Sequence, residues 1–140
     1  MIHDAGLVAG CAGHNPDVFV KAEEVGLDVD YYMCCYYNPT CRDDDPVHPR
    51  GATEMFHPYH RERMSKLIRS LSKPVVHYKV LAAGRTEPAE AFEFVAHTMR
   101  ENDVACVGIY TEHKPDMIQE DIDLLMAAVQ KQAWFKPEAA

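Results

Sequence analysis

A chain of 140 residues with 47% apolar content is long enough to bury one modest core. Its net charge of −8, with no basic cluster, argues against a nucleic-acid partner, for which a positive face is needed. No run approaches the roughly 20 apolar residues of a membrane span, and the opening lacks the basic and apolar regions of a leader, so the sequence reads as cytoplasmic. Five cysteines, an odd number with several inside predicted strands, read as reduced thiols rather than a disulfide framework.

Short apolar runs alternate four times with amphipathic segments. Gly6 to Gly13 is the first strand candidate. Asn15-Pro16 then opens a helix, an N-cap residue followed by proline at the first helical position. Val18, Phe19, Ala22 and Val25 share one face of that helix, and Gly26 ends it. Val29 to Tyr37 is a nearly unbroken apolar and aromatic run, which suits a strand buried on both faces, and Asn38-Pro39 stops it.

Residues 40–58 break the alternation. Pro46, Pro49, Pro58 and Gly51 are scattered through them with the run Asp43-Asp44-Asp45 and no apolar period, which predicts a long loop. From Tyr59 to Ser72, Met64, Leu67, Ile68 and Leu71 recur at helical spacing. Val75 to Leu81 follows as a strand, and the turn Ala83-Gly84-Arg85-Thr86 leads into a helix from about Pro88 to Arg100, with Thr86 or Glu87 as cap and Phe92, Val95 and Met99 inward. The fourth strand is Val104 to Tyr110. The last helix spans about Pro115 to Gln132, with Ile118, Ile122, Leu125 and Val129 as its stripe.

Strands separated by helices need crossover connections, which are right-handed almost without exception, so four parallel strands in order are expected. The fold class is therefore α/β, a single parallel (β/α)4 half-barrel over residues 1–140. Such a sheet has two unpaired edges and one uncovered face, which invites either a missing half-barrel or self-association. Met1 to Gly6 reads as the end of a preceding helix, favouring a longer natural chain. In barrels chemistry gathers just after the strands, which singles out His14 and Asn15, Asn38, Lys79 to Arg85, and Thr111 to Lys114.

Four motifs carry a family resemblance. Gly10-Cys11-Ala12-Gly13-His14-Asn15-Pro16-Asp17-Val18, with Ala22-Glu23, Asp28-Val29-Asp30 and Tyr37-Asn38 behind it, resembles the fifth and sixth strands of the aldo-keto reductases, closest to a bacterial group with the pattern G-x-S-x-H-N-P. Lys73 to Arg85 is similar to the seventh strand and its glycine turn, and Val107-Gly108, Pro115, Ile118 and Glu120-Asp121 to the eighth strand and the E-N pair that opens its helix. The resemblance runs over nearly the whole chain in the right order.

It implies strands five to eight of a TIM-like barrel that binds NADP(H) and transfers hydride to a small carbonyl substrate. In that family the fifth and sixth strands hold the nicotinamide carboxamide, the turn after the seventh meets the pyrophosphate, and the eighth helix reaches the adenosine. A glycine turn and helix N-termini offering free backbone N–H groups suit phosphate, and Arg85 can add a bidentate contact. Carried over residue by residue, Gly13, Asn15, Tyr78, Leu81, Gly84, Arg85, Glu120 and Asp121 are the cofactor candidates, joined by His14, Asn38 and Lys79 from their places after strands. The chain departs from the pattern at Ala12 for serine, Cys34 for glutamine and Asp121 for asparagine. The family's catalytic Asp, Tyr, Lys and His belong to its first four strands, so no catalytic residue is carried over.

Plainer roles stand beside these. Asn15 and Thr86 suit helix caps, Gly84 a positive φ in a tight turn, and Glu120 and Asp121 a solvated first turn. Lys79 fits none of them, since a strand lysine is seldom buried without a partner, and it is expected to point into the barrel mouth. His14, Cys34, Cys41, His48, His57, His60 and His77 raise the alternative of a zinc or iron site, although no pair has tight ligand spacing. A half-barrel without chemistry, serving as an assembly partner, is a third reading.

Overall fold

The computed structural model describes residues 1–38, 56–112 and 114–135. Four strands alternate with four helices: β1 (Gly10–Gly13), α1 (Pro16–Glu24), β2 (Tyr31–Cys35), α2 (Pro58–Ile68), β3 (Val75–Tyr78), α3 (Pro88–Thr98), β4 (Val104–Cys106) and α4 (Met117–Val129). The strands form one all-parallel sheet in the order β1-β2-β3-β4, with Gly10 beside Tyr31, Tyr32 beside Val75, and Val76 beside Val104. The expected loop at 40–58 lies outside the described residues as far as position 55. Among the described residues, no helix is long and apolar enough to cross a membrane.

All four strands are shorter than their apolar runs, for local reasons. Before β1, Gly6 turns the chain at φ +70°, and the N–H of Ala9 donates to the Asp30 carboxylate at 2.7 Å. β3 stops at Tyr78 because Lys79 adopts φ +57°, a left-handed conformation that ends the pleat. β2 is buried throughout on the helix face, at Tyr32 and Cys34, while on the other face Cys35 is buried and Tyr31 and Met33 are half-buried, so the expected two-sided burial is met in part.

Parallel neighbours share a face, so the sheet sorts cleanly. Cys11, Tyr32, Cys34, Val75 and His77 look toward the helices, where Phe19 of α1 meets Tyr32 edge to face at 5.5 Å. Gly10, Ala12, Tyr31, Met33, Val76, Tyr78, Val104 and Cys106 look the other way. No described element covers that face, and Val104 and Cys106 are exposed on it. Parallel sheets are ordinarily covered on both sides.

The helix stripes divide by position. α2 and α3 bury what their periodicity predicts, with Met64, Ile68, Phe92, Val95 and Met99 all in the core. The outer helices do not. α1 buries Phe19 and Ala22 but leaves Val18 41% and Val25 59% exposed, and α4 buries Asp121, Ala128 and Val129 while Ile118 and Ile122 are 46% and 48% exposed. The expected stripes of both outer helices are thus only half used.

Asn15 caps α1 as its sequence suggests: its Oδ1 accepts the N–H of Asp17 at 3.0 Å, with Pro16 at the first helical position. Asn15→Ala is expected to lower stability by about 1 kcal/mol, read from urea unfolding midpoints.

Between sheet and helices runs a buried polar chain. The hydroxyl of Tyr36 meets His77 Nδ1 at 2.9 Å, and His77 Nε2 meets the Asp103 carboxylate at 3.2 Å. Asp103 also accepts from the N–H of Val75 at 2.8 Å and from Arg100, which reaches on to the carbonyls of Leu71 and Lys73. On the helix side, the hydroxyls of Ser65 and Thr98 lie 2.9 Å apart, joining α2 to α3. His77 and the Asp103 side chain are fully buried. Four donors hold the Asp103 carboxyl at about 2, against the desolvation that burial imposes.

Candidate functional site

A cleft of about 620 Å³ opens at the C-terminal ends of β3 and β4 and is closed on one side by the first turn of α4. Tyr78 and Lys79 enter it from the end of β3, Leu81 and Gly84 from the turn that follows, and Asp121 from α4. Five of the candidate residues therefore share one cavity. Two more reach it through Tyr78, whose hydroxyl donates to the Gly13 carbonyl at 3.4 Å and whose ring meets that of His14 edge to face at 5.9 Å. Burial pushes the Tyr78 hydroxyl upward in pKa, which keeps it a donor.

The turn between β3 and α3 is built against the usual backbone preference. Lys79, Ala82 and Ala83 hold positive φ angles of 57°, 50° and 54°, and Gly84 continues at 79°. Left-handed residues other than glycine cost about 1 kcal/mol or more each, and such strain concentrates at functional sites. The turn closes on itself: the N–H groups of Gly84, Arg85 and Thr86 all donate to the carbonyl of Leu81, at 2.9, 3.1 and 3.3 Å. Those three N–H groups, Gly84 included, are therefore taken up within the turn and are not offered to a phosphate. The end of α3 remains available, because Glu87 makes no side-chain cap bond and Pro88, at the cleft wall, occupies the first helical position.

The remaining candidates lie elsewhere. Arg85 is exposed, donates to the carbonyls of Ala82 and Ala83 at 3.2 and 3.5 Å, and stacks its guanidinium over Phe56 at 4.4 Å, lining a separate hollow with Arg61 and Glu90. Lys79 also approaches Phe56, its Nζ 5.6 Å from the ring centre. Asn38 is buried and shares with His14, Tyr36 and His60 a crevice of only about 10 Å³. Asn15 is occupied as a cap. Glu120 pairs with Lys114 at the cleft rim, which raises the lysine's pKa.

Cys106, Gly108, Tyr110 and Met117 also line the wall, with the N–H of Tyr110 directed at the Met117 sulfur at 3.4 Å. Of these, Tyr110 was findable, since it ends the fourth apolar run, where a barrel gathers its binding residues. Met117 carries no such signal, because its role depends on how far α4 is rotated.

Among the described residues no group of three or more His, Cys, Asp or Glu side chains is placed to hold a metal ion; Cys41 and His48 lie outside them. Cys34, in that set by sequence, is buried, and burial raises its thiol to about 12, far from a thiolate. Cys11, Cys34, Cys35 and Cys106 are in no disulfide. Comparisons with protein-family models, with curated proteins and with solved structures give no match.

Proposed function

We propose that this chain is the nicotinamide-dinucleotide-binding half of an aldo-keto-reductase-like barrel, corresponding to strands five to eight, that serves hydride transfer to a small carbonyl compound. The observation that carries the reading is the meeting of Tyr78, Lys79, Leu81 and Gly84, from the end of β3 and the turn after it, with Asp121 of α4, a whole βα unit further along the chain, in one cleft at the C-terminal ends of β3 and β4. Binding sites of (β/α) barrels lie at that end. The open sheet face supports the half-barrel part of the reading. It is completed by a second set of four parallel strands, which also brings the acid that protonates the developing alkoxide.

The cleft has the size of a ligand site and a mostly apolar wall with few polar groups. Lys79 supplies positive charge for the pyrophosphate, and Tyr78 offers a flat ring on the open face, where a nicotinamide stacks. Arg85 and Asn38 then act on the cofactor only from neighbouring hollows. The resemblance implies NADP(H) as the form bound.

The test is a fluorescence titration of the chain with NADH and NADPH. Saturable binding of either is expected, and Lys79→Ala should weaken it about tenfold, as loss of one charge-assisted contact does. A folded sample that binds neither overturns the reading.

A further inference from the structure

One side chain in the cleft has an unmet demand. Asp121 is only 8% exposed, and its Oδ2 is buried with no hydrogen-bond partner among the described residues. A buried polar atom left unpaired is costly, so its site calls for an explanation. A carboxylate accepts and does not donate, so the missing group carries an O–H or N–H and is not an acceptor-only anion. Burial raises the Asp121 pKa, with Lys114 opposing and Glu120 reinforcing the shift, as expected of a carboxylate short of donors.

The charges around it point the same way. Lys79 and Lys114 are the cations lining the cleft, and Lys114 is already paired with Glu120; Glu87 and Asp121 are the anions. With Lys114 neutralised by Glu120, Lys79 supplies the positive charge that meets a pyrophosphate. A further phosphate monoester, carrying nearly two more charges, would meet carboxylates instead. The cleft runs from Tyr78, on the open sheet face where a reacting carbonyl must arrive, to α4, so the unreactive nucleoside falls at the Asp121 end. An acid there suits a free ribose 2′-hydroxyl, whereas a 2′-phosphate calls for arginine, and Arg85 faces another hollow.

We infer that the cleft takes the dinucleotide without a 2′-phosphate, NAD(H), with Asp121 accepting a hydrogen bond from a hydroxyl of the adenosine ribose. The inference rests on the dinucleotide reading above and narrows it, away from the NADP(H) that the resemblance implies.

NADH and NADPH titrations of the full chain and of Asp121→Asn test it. The unmodified chain should bind NADH at least tenfold more tightly than NADPH, and the near-isosteric variant should lose about tenfold on NADH while NADPH binding holds or improves. Equal or tighter NADPH binding by the unmodified chain, a comparison that needs no variant, overturns the inference and leaves dinucleotide binding standing. An equal loss on both cofactors in Asp121→Asn moves the carboxylate to another donor, such as the base amine, and also overturns it. If neither cofactor binds to a folded sample, this inference falls together with the reading it rests on.

Discussion

Asp103→Asn is expected to destabilise the protein by about 3–5 kcal/mol, the cost of removing one partner from a buried charged network. Its carboxylate receives the Val75 N–H, His77 and the Arg100 backbone and guanidinium, and Arg100 in turn ties down the carbonyls of Leu71 and Lys73. An asparagine replaces one acceptor oxygen by a donor, which then faces donors. Urea unfolding of both proteins at neutral pH measures the difference. The same residue sets an acid limit. Its folded pKa, about 2, lies below the ordinary 3.8, so the stabilisation it gives is present above about pH 4 and is lost as pH falls toward 2. Over that window the natural chain should lose up to about 2.5 kcal/mol on this account, the distance of about 1.8 pH units between 3.8 and 2 at about 1.36 kcal/mol per unit. The asparagine variant should lack that increment, so parallel unfolding curves for the two chains between pH 5 and 2 would refute the assignment.

Phe92→Ala is expected to cost a similar 3–5 kcal/mol for a different reason, a cavity rather than an orphaned charge. Phe92, on α3, is 0% exposed and belongs to the core that also includes Val95, Ala96, Ile68 and Val129. Single domains are stable by only about 5–15 kcal/mol, so this substitution removes a large share. A fall in Tm of roughly 10 °C or more is expected for a chain of this size. Val104→Ala is the matched control: Val104 is 53% exposed on the open sheet face, and a change within about 0.5 kcal/mol is expected while that face stays uncovered. A large loss for Val104→Ala would mean that the face is covered in solution.

The order of elements, their parallel pairing and the inner stripes of α2 and α3 were legible because periodicity reports burial wherever both neighbours of a helix are present. It misled at α1 and α4, where Val18, Val25, Ile118 and Ile122 are written as buried and stand exposed. An apolar stripe records a packing partner, and the sequence does not say whether that partner lies within the same four units. Strand ends were overrun because left-handed residues such as Lys79 and Ala82 have no compositional mark: neither is glycine, and tertiary contacts impose the conformation. In the cleft, Tyr78, Lys79, Leu81, Gly84 and Asp121 were reachable from their places after strands and in the motifs. The outward turn of Arg85 was not, since it depends on Phe56, a residue with no periodic context of its own. The network of Tyr36, His77 and Asp103 was invisible because its members, just after β2, within β3 and just before β4, are brought together only by the tertiary fold.

The sheet joins each strand only to its neighbours in sequence, and this bears on how the chain folds. Ala9 and Asp30, which close the first unit, are 21 residues apart; Tyr36 and His77, which tie β2 to β3, are 41 apart. Loop-closure entropy grows only logarithmically, so this near doubling costs about 0.6 kcal/mol, less than a single helix cap contributes. The connection between β2 and α2 can therefore gain or lose residues with little effect on the equilibrium between folded and unfolded chain. What such changes alter is the search time before β2 finds β3, which makes that pairing the step where folding should be slowest and most sensitive to length.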